Sequence, residues 1–448
     1  MAMSTVIAEQ LIRAGMSPAE AQRKQPLFES AERALPMRES SSVSRWFIPG
    51  RIEVLGKHTD YAGGRSLLCA AERGMCVVAR ARPDSTIKIR DAADGRSVEF
   101  DFSSDVKIPS AGWTVYPLSV ARRITRNFGG GLHGADIALA NDLPRSAGMS
   151  SSSALIVAVF VALCEINGLE LRPEYESNIH SAEDLAGYLG CIENGQSFGS
   201  LTGDMGVGTF GGSEDHTAIL CCRPAVLSQY SFCPVRAERT ITFPAQCTFV
   251  IASSGVEATK TSSARDQYNR VSRAAEAVLA AWRSESGESS PTLHGAVVSS
   301  ADAPARIRAV LERSTISDFL PKTLLDRFNQ FFLESEEIIP AAAEALGRND
   351  LRSFGELVDQ SQHAAERWLG NQIPETIELV HAARSLGAHA ASAFGAGFGG
   401  SVWALVWRSE AAQFCDRWKE HYQWLFPGPA AQRSQFFATA PGPALLRL

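Results

Sequence analysis

The spacing of hydrophobic residues changes along the chain and predicts different elements in different stretches. Residues 1–45 carry apolar positions at helical spacing, whereas residues 46–102 carry short β-like runs. Helical spacing returns at residues 113–128 and dominates residues 264–369, and residues 374–422 alternate helix, glycine loop, strand and helix. The pattern predicts an α+β protein that begins with a helical extension over residues 1–45.

Three shorter stretches carry the more specific predictions. Leu155–Ile166 is apolar on all sides and follows a Ser/Gly loop, so we expect a buried helix against a sheet. The runs His216–Cys222 and Cys247–Ser253 read as strands, and Phe47-Ile48 is expected to precede a turn-rich segment. No internal repeat is present, so the expected form is two α+β lobes with a cleft between them.

Composition and charge narrow the class of partner. The 448 residues are 45% hydrophobic and 21% charged, which is typical of globular proteins, and the net charge is -6 without a long Lys/Arg run. This balance argues against a nucleic-acid or membrane partner and favours a small molecule. The nine cysteines form no C-x-x-C pair, so we expect reduced core thiols in a cytoplasmic protein. The sequence does not define an oligomeric state.

A serine-rich segment precedes the buried helix. Residues 141–154 read Asn-Asp-Leu-Pro-Arg-Ser-Ala-Gly-Met-Ser-Ser-Ser-Ser-Ala, which offers backbone N–H groups and hydroxyls at the positive end of a helix. Such an end binds phosphate readily, although a capped polar turn would have a similar composition.

Two further segments are rich in glycine. Residues 393–401 place four glycines in six positions directly before a strand, where a backbone can approach a ligand closely or simply turn tightly. Residues 49–64 place Arg51, Lys57, His58 and Asp60 between glycines. This density of hydrogen-bonding groups suits a polyhydroxylated ligand, while a solvated loop would carry the same charges without needing the glycines.

Taken together and in this order, the three segments resemble the three signature motifs of the GHMP kinase superfamily. Residues 50–61 resemble the galactokinase pattern Gly-Arg-x-Asn-Leu-Ile-Gly-Glu-His-Thr-Asp-Tyr most closely. Trp113 with Tyr116, and Tyr268-Asn269-Arg270, resemble two further galactokinase segments, and the likeness extends from about residue 46 to 407. The resemblance implies a two-lobed α+β fold, with an N-terminal lobe at residues 46–225 and a C-terminal lobe at residues 226–448.

The resemblance also implies ATP and Mg²⁺ sites. The residues it assigns to ATP are Gly148, Ser150, Ser151, Ser152, Gly397 and Gly399. For the metal it implies a serine hydroxyl, Ser151, and the carboxylate of Glu193, with Glu183 or Asp184 as alternatives.

For catalysis the resemblance implies Asp215 and Arg51. The segment Gly211-Gly-Ser-Glu-Asp-His216 corresponds to the family's Gly-x-Met-Asp-Gln, so Asp215 is the candidate base and Glu214 its nearest rival. Asp215 would accept the proton of the attacking hydroxyl while Arg51 and Mg²⁺ compensate charge on the phosphoryl group.

The implied sugar-binding residues are Lys57, His58, Asp60 and Tyr268. Lys57 departs from the pattern, because the family has Glu at this position. The expected activity is ATP-dependent phosphorylation of the anomeric hydroxyl of a monosaccharide, galactose first. The cationic Lys57 motivates a uronic-acid or pentose 1-kinase as the alternative, of the galacturonate or arabinose type. A catalytically silent sugar sensor is an alternative from another class.

Overall fold

The computed structural model describes residues 2–36, 42–103, 105–144, 147–256, 263–315 and 318–448. The described residues form sixteen α-helices: α1 Ala2–Arg13, α2 Pro18–Ala34, α3 Val115–Phe128, α4 Ser151–Asn167, α5 Pro173–Glu176, α6 Ala182–Asn194, α7 Glu214–Cys221, α8 Ser263–Ser286, α9 Leu293–Val297, α10 Ala303–Arg313, α11 Pro321–Phe332, α12 Ile339–Gly347, α13 Leu351–Ala364, α14 Pro374–Ser385, α15 Ala411–Leu425 and α16 Pro429–Arg433. Short 3₁₀ turns occur at Asp60–Ala62 and Leu169–Leu171, and π-helical turns at Leu333–Ile338 and Ala365–Leu369.

The same residues form twelve strands in two sheets: β1 Ser44–Leu55, β2 Arg65–Ala81, β3 Thr86–Asp91, β4 Ser97–Asp101, β5 Ala135–Asn141, β6 Val226–Ser231, β7 Arg236–Thr242, β8 Cys247–Ser253, β9 Ala390–Phe394, β10 Ser401–Trp407, β11 Gln435–Thr439 and β12 Leu446–Arg447. The large sheet has the order β12-β1-β2-β5-β3-β4, and the start of β2 also pairs with β6, which pairs with β7. The small sheet is antiparallel with the order β11-β8-β10-β9. The α+β prediction is confirmed.

No single position in the sequence separates the strands of the two sheets. Strands β6 and β7 and the C-terminal β12 lie beyond residue 225 yet pair within the large sheet. The two sheets share one hydrophobic cluster, in which Ile52 and Leu55 of β1 pack with Phe249 of β8 and Trp403 of β10. The lobe limits at 46–225 and 226–448 stay a prediction.

Helix α4 confirms the buried helix predicted at residues 155–166. Its residues from Ala154 to Phe160 are all buried in the core beneath the large sheet. A helix that is apolar on all sides needs such surroundings, and its N-terminus fixes the position of the serine-rich segment. Arg145 and Ser146 of that segment lie outside the described residues.

The N-terminal extension is two helices that cover the large sheet. Phe28 of α2 belongs to a cluster that includes Phe47 and Val78 of the sheet. Lys24 is fully buried, and its ammonium pairs with Glu20 at 3.0 Å and with Asp142. Because Asp142 begins the serine-rich segment, the extension is anchored beside the loop expected to hold phosphate.

Two of the expected elements are wrong. Residues 216–221 belong to helix α7 rather than a strand, and Cys222 follows the helix directly. A short apolar run does not distinguish the two, and the acidic first turn with Glu214 and Asp215 favours the helix because carboxylates stabilise its positive end. The turn-rich segment expected after Phe47-Ile48 starts later than the pattern suggested, because β1 continues to Leu55 with irregularities at Pro49/Arg51 and Glu53/Leu55 and the turns follow it.

The cysteines follow the prediction in part. All nine thiols are free, and five of them are buried: Cys69, Cys76, Cys164, Cys222 and Cys247. Cys233 is exposed, so it is not a core residue. Within the part of the chain that the structure describes, no helix has both the length and the apolar character needed to cross a bilayer.

Candidate active site

A cavity of about 460 Å³ brings together segments that are distant in sequence. The residues predicted for the site that line it are Arg51, His58, Asp60, Gly148, Ser150, Ser151, Ser152, Glu193, Asp215 and Tyr268. Lys57, Gly397 and Gly399 lie outside this lining, and Gly395 and Ala396 represent the last glycine segment in their place.

Arg51 and Asp215 form the central contact of the cavity. Arg51 Nε donates to Asp215 Oδ1 at 2.7 Å, and Nη1 donates to the Gly148 carbonyl at 2.5 Å. Burial lowers the pKa of Arg51, but the surrounding carboxylates outweigh burial and raise it above its ordinary value. The guanidinium is therefore a fixed cation that joins the first motif to the serine-rich loop and to helix α7.

A serine hydroxyl bridges two carboxylates on the same wall. Ser153 Oγ lies 3.0 Å from Glu193 Oε2 and 3.2 Å from Asp215 Oδ2. Its one O–H can donate to either carboxylate, so the three side chains form a compact oxygen-rich cluster. Thr209 Oγ1 approaches the other oxygen of Glu193 at 3.4 Å.

The residues predicted for Mg²⁺ suit that ion. Ser151 and Glu193 both line the cavity, and both offer the oxygen atoms that Mg²⁺ prefers. The neighbouring hydroxyl of Ser150 is buried and has no hydrogen-bond partner among the described residues. Those residues contain no group of three or more acidic, His or Cys side chains placed to bind a metal by themselves.

The backbone supports the anion-binding role of the serine-rich loop. Ser150 adopts a left-handed conformation, φ 61° and ψ 37°, immediately before the first turn of α4. Non-glycine residues are held in this region only by their surroundings, and such strain is common at ligand-binding sites. Ser401 of the last motif donates to the Ala147 carbonyl at 2.6 Å, so the glycine segment supports the loop from behind.

The glycine at position 397 has a packing role. A Cβ at Gly397 would lie 2.4 Å from the Asn371 carbonyl oxygen, and its φ is +79°. The Phe398 N–H also donates to that carbonyl at 2.6 Å. The assignment of Gly397 and Gly399 to ATP therefore has no contact with the cavity to support it.

Hydrogen bonds to both ring nitrogens orient the His58 side chain. His58 Nε2 lies 3.0 Å from the Ala396 carbonyl, which can only accept, so this nitrogen carries the hydrogen. Nδ1 lies 3.0 Å from the Tyr61 hydroxyl, which accepts from Arg327 at 3.2 Å and is therefore free to donate to the ring. Burial raises the pKa of Tyr61 to about 12, so the phenol keeps its proton. These contacts on both ring nitrogens hold the imidazole in one orientation.

Asp60 and Tyr268 complete the end of the cavity near His58. Asp60 Oδ2 accepts from the Glu214 N–H at 3.1 Å, and the Tyr268 ring centroid lies 5.1 Å from that of His58. A Cβ at Gly212 would lie 2.4 Å from Asp60 Oδ2, so the loop before α7 can approach only because position 212 has no side chain. Burial, followed by the charge of Asp60, raises the pKa of Tyr268.

Lys57 points away from the cavity. Its side chain is 1% exposed, and Nζ donates to Ser361 Oγ at 3.0 Å and to Ser392 Oγ at 2.7 Å. Helices of the second half also hold the backbone of this loop, because Glu334 accepts from Gly56 N–H at 2.8 Å and Gln330 donates to the Lys57 carbonyl at 3.1 Å. Lys57 ties the first motif to the C-terminal part of the protein.

The cavity contains residues that the sequence analysis did not assign. Its apolar and aromatic end includes Met75, Trp113, Tyr116, Leu139 and Leu155, beside Asp91 and Arg96. The Arg96 guanidinium lies 5.8 Å from the centre of the Trp113 ring. Glu53 also lines the cavity, at a position where the galactokinase pattern has Asn. This departure from the pattern is the feature of the sequence that could have identified Glu53 as a site residue.

Comparisons with known proteins agree with this geometry. Three family models match: the GHMP kinases N terminal domain at residues 115–196, the GHMP kinases C terminal at 342–423 and the galactokinase galactose-binding signature at 39–81. The galactokinase of Roseiflexus sp. (strain RS-1) is 29% identical over 372 residues, covering 82% of this chain and 84% of that protein. The galactokinase of Glaesserella parasuis is 26% identical, covering 84% and 88%.

Solved structures support the fold. The galactokinase of Lactococcus lactis complexed with galactose has a TM-score of 0.73 at 21% identity, covering 94% of this chain and 98% of that chain. The mevalonate kinase of Methanococcus jannaschii has a TM-score of 0.52 at 12% identity. The two-lobed fold and the motif-lined cavity define a member of the GHMP kinase superfamily. Within it, the chain belongs to the galactokinase family, and it is a sugar kinase.

Proposed function

We propose that this protein transfers the γ-phosphoryl group of ATP to the anomeric hydroxyl of galactose. The observation that carries the proposal is the Arg51–Asp215 contact at 2.7 Å, between the serine-rich loop and the end of the cavity lined by His58 and Asp60. A phosphate donor on one side and a sugar on the other would meet at this pair.

In this mechanism Asp215 accepts the proton of the attacking hydroxyl. Its Oδ1 is bonded to Arg51, and its Oδ2 faces Ser153, so the carboxylate is held by two directional contacts. Arg51 stays cationic and offsets the charge that develops on the transferring group. Ser151 and Glu193 would hold Mg²⁺, which supplies further charge compensation at the phosphates when it is bound.

The placement of ATP rests on the two chemistries of the cavity. The serine-rich loop at the positive end of α4 suits the phosphates. The aromatic and apolar end at Trp113 and Tyr116 suits a flat nucleobase, because aromatic rings stack on such bases. His58, Asp60 and Tyr268 then remain for the sugar hydroxyls.

The position of Lys57 favours galactose over galacturonate. A carboxylate on the sugar would need a cation beside His58 and Asp60, whereas Arg51 donates to Asp215 and the Gly148 carbonyl and the Lys57 ammonium is buried outside the cavity among serine hydroxyls. Carboxylates such as Glu53 and Asp60 line the cavity instead and would repel an anionic sugar.

The test is a panel of galactose, galacturonate, arabinose, glucose and mannose with Mg·ATP. ADP release identifies the accepted sugar, and NMR coupling between phosphorus and the anomeric carbon and proton identifies the phosphorylated position. We expect turnover with galactose and phosphate at C1. Phosphate on another carbon, or preference for galacturonate, would refute the proposal. Galactose binding without any turnover would instead identify the sensor.

A further inference from the structure

His58 has a backbone conformation that few residues with a side chain adopt. Its φ is +59°, in the left-handed region. Residues other than glycine persist in this region only when the surrounding structure holds them there, and such strain is common at binding sites. The His58 side chain lines the cavity, with its ring centroid 5.1 Å from that of Tyr268. Contacts elsewhere in the fold must therefore hold the backbone that directs this side chain.

Helix α11 holds both peptide groups that flank His58. The Lys57 carbonyl, which belongs to the peptide before His58, accepts from Gln330 Nε2 at 3.1 Å. The His58 carbonyl, which belongs to the peptide after it, accepts from Arg327 Nη2 at 2.5 Å. The orientations of two successive peptide planes set the φ and ψ angles of the residue between them. The two side chains of α11 therefore fix the direction in which the imidazole leaves the backbone.

Arg327 also sets the orientation of Gln330. Its Nη1 donates to Gln330 Oε1 at 2.6 Å. Because the amide oxygen accepts from the guanidinium, the amide NH2 group is left to donate to the Lys57 carbonyl. Removal of Arg327 would therefore release both peptide groups, directly at His58 and through Gln330 at Lys57.

The same guanidinium reaches helix α8. Arg327 Nε donates to the Val271 carbonyl at 3.4 Å, and Val271 lies one turn after Tyr268. Arg327 is 2% exposed, and its four hydrogen bonds to described residues go to neutral groups: two carbonyls, an amide oxygen and the phenol of Tyr61. Burial of a cation among neutral partners is costly. Geometry accounts for its presence, because a planar guanidinium with five donors can hold a loop and two helices at once.

We infer that Arg327 is a positioning residue for the sugar end of the site: with Gln330, it holds His58 in the left-handed conformation that directs the imidazole into the cavity. Arg327 is not among the residues that line the cavity, so it acts through His58. The inference rests on the proposed function, because that function places the sugar beside His58.

The first test is a double-mutant cycle on calorimetric galactose binding, measured without nucleotide. Arg327→Met should weaken binding by roughly 10- to 100-fold, because His58 then occupies its binding conformation for only part of the time. In a His58→Ala background the same substitution should have no further effect. Equal losses in both backgrounds would show a merely structural role for Arg327 and overturn the inference.

A second variant and a matched control separate this role from general damage. Gln330→Leu loses one of the two carbonyl contacts and should weaken galactose binding by less than Arg327→Met. Arg308 stacks on the rings of Phe328 and Phe332 of α11, so Arg308→Met is the control and should leave binding unchanged. In the two α11 variants the KM for galactose should rise while the KM for ATP stays at the wild-type value. An equal rise of both KM values would overturn the inference.

The second test reads the backbone of His58 without any sugar. Carbon NMR of protein with isotope-labelled histidine gives Cα and Cβ shifts that depend on φ and ψ, and His58→Ala assigns the signal. Arg327→Met should move the His58 signal, whereas Arg308→Met should not. An unmoved signal would overturn the inference whatever the sugar does. Galactose binding with the expected cycle, but without phosphorylation of galactose, would refute the proposed function alone.

Discussion

Replacing Asp215 by Asn tests the assignment of the catalytic base. The Asn side chain has nearly the same shape, and its oxygen can still accept from Arg51 Nε, which now donates to Asp215 at 2.7 Å. Glu53 and Glu214 still lie within 4 Å of the guanidinium. The variant should therefore fold and bind sugar while it loses the group that accepts the proton.

The size of the loss follows from the role. General-base catalysis contributes roughly 10²- to 10⁴-fold, which corresponds to about 3–5 kcal/mol on the barrier at 1.36 kcal/mol per tenfold. We expect kcat with galactose and Mg·ATP to fall by that factor. Folding stability should fall by only about 1–3 kcal/mol, because one charged hydrogen bond becomes neutral.

The assay measures kcat and KM by ADP release, with sugar binding by calorimetry on the same samples. Glu214→Gln is the matched control, since this neighbouring carboxyl is the rival base. It should raise the KM for the sugar more than it lowers kcat. If Asp215→Asn keeps more than a tenth of the wild-type kcat, or Glu214→Gln loses as much as Asp215→Asn, the assignment of the base is refuted.

Three further outcomes are expected. Gly212→Ala places a Cβ against the Asp60 carboxylate and should raise the KM for the sugar at least tenfold. The control Gly347→Ala, whose Cβ meets no atom within 4 Å, should leave this KM unchanged. Equal effects of the two variants would contradict the close approach of Gly212 to Asp60. Lys24→Met removes the buried ammonium that pairs with Asp142 and should lower the unfolding free energy by about 3–5 kcal/mol in denaturant titrations. An unchanged midpoint would contradict the role of Lys24 as an anchor of the N-terminal helices. Burial raises the pKa of Glu53 from 4.5 to about 7, so between these pH values the folded protein binds a proton that the unfolded chain does not. The unfolding free energy should therefore fall by up to about 3 kcal/mol as the pH rises from 4.5 to 7. Glu53→Gln should remove that part of the pH dependence, and an unchanged pH dependence would contradict the shift.

The sequence was sufficient for most of the elements and for the Arg51–Asp215 pair of the site. Helix α4 was predictable because an entirely apolar helix can lie only in a core. The meeting of Arg51 and Asp215, which are 164 positions apart, was predictable from the family's motifs and not from local patterns. The helix at residues 214–221 was missed because a short apolar run fits both periods.

The direction of side chains along β1 was beyond the sequence. Alternation would place positions 51, 53, 55 and 57 on one face, but register irregularities at Pro49/Arg51 and Glu53/Leu55 interrupt it. A slip of one residue exchanges the two faces of a strand. Glu53 therefore reaches the cavity and Lys57 does not, although the resemblance assigned Lys57 to the sugar and gave Glu53 no role.

One edge of β1, the first strand of the fold, is covered by β12, which lies far later in the sequence. Trp46 and Phe47 pair with Arg447 and Leu446. During synthesis at about 5–20 residues per second, β1 would present an open edge until β12 has been made. Unpaired edges invite pairing with other chains. The nascent protein is thus open to misassembly at this edge until β12 is made, and removal of Leu446 and Arg447 would leave the edge uncovered.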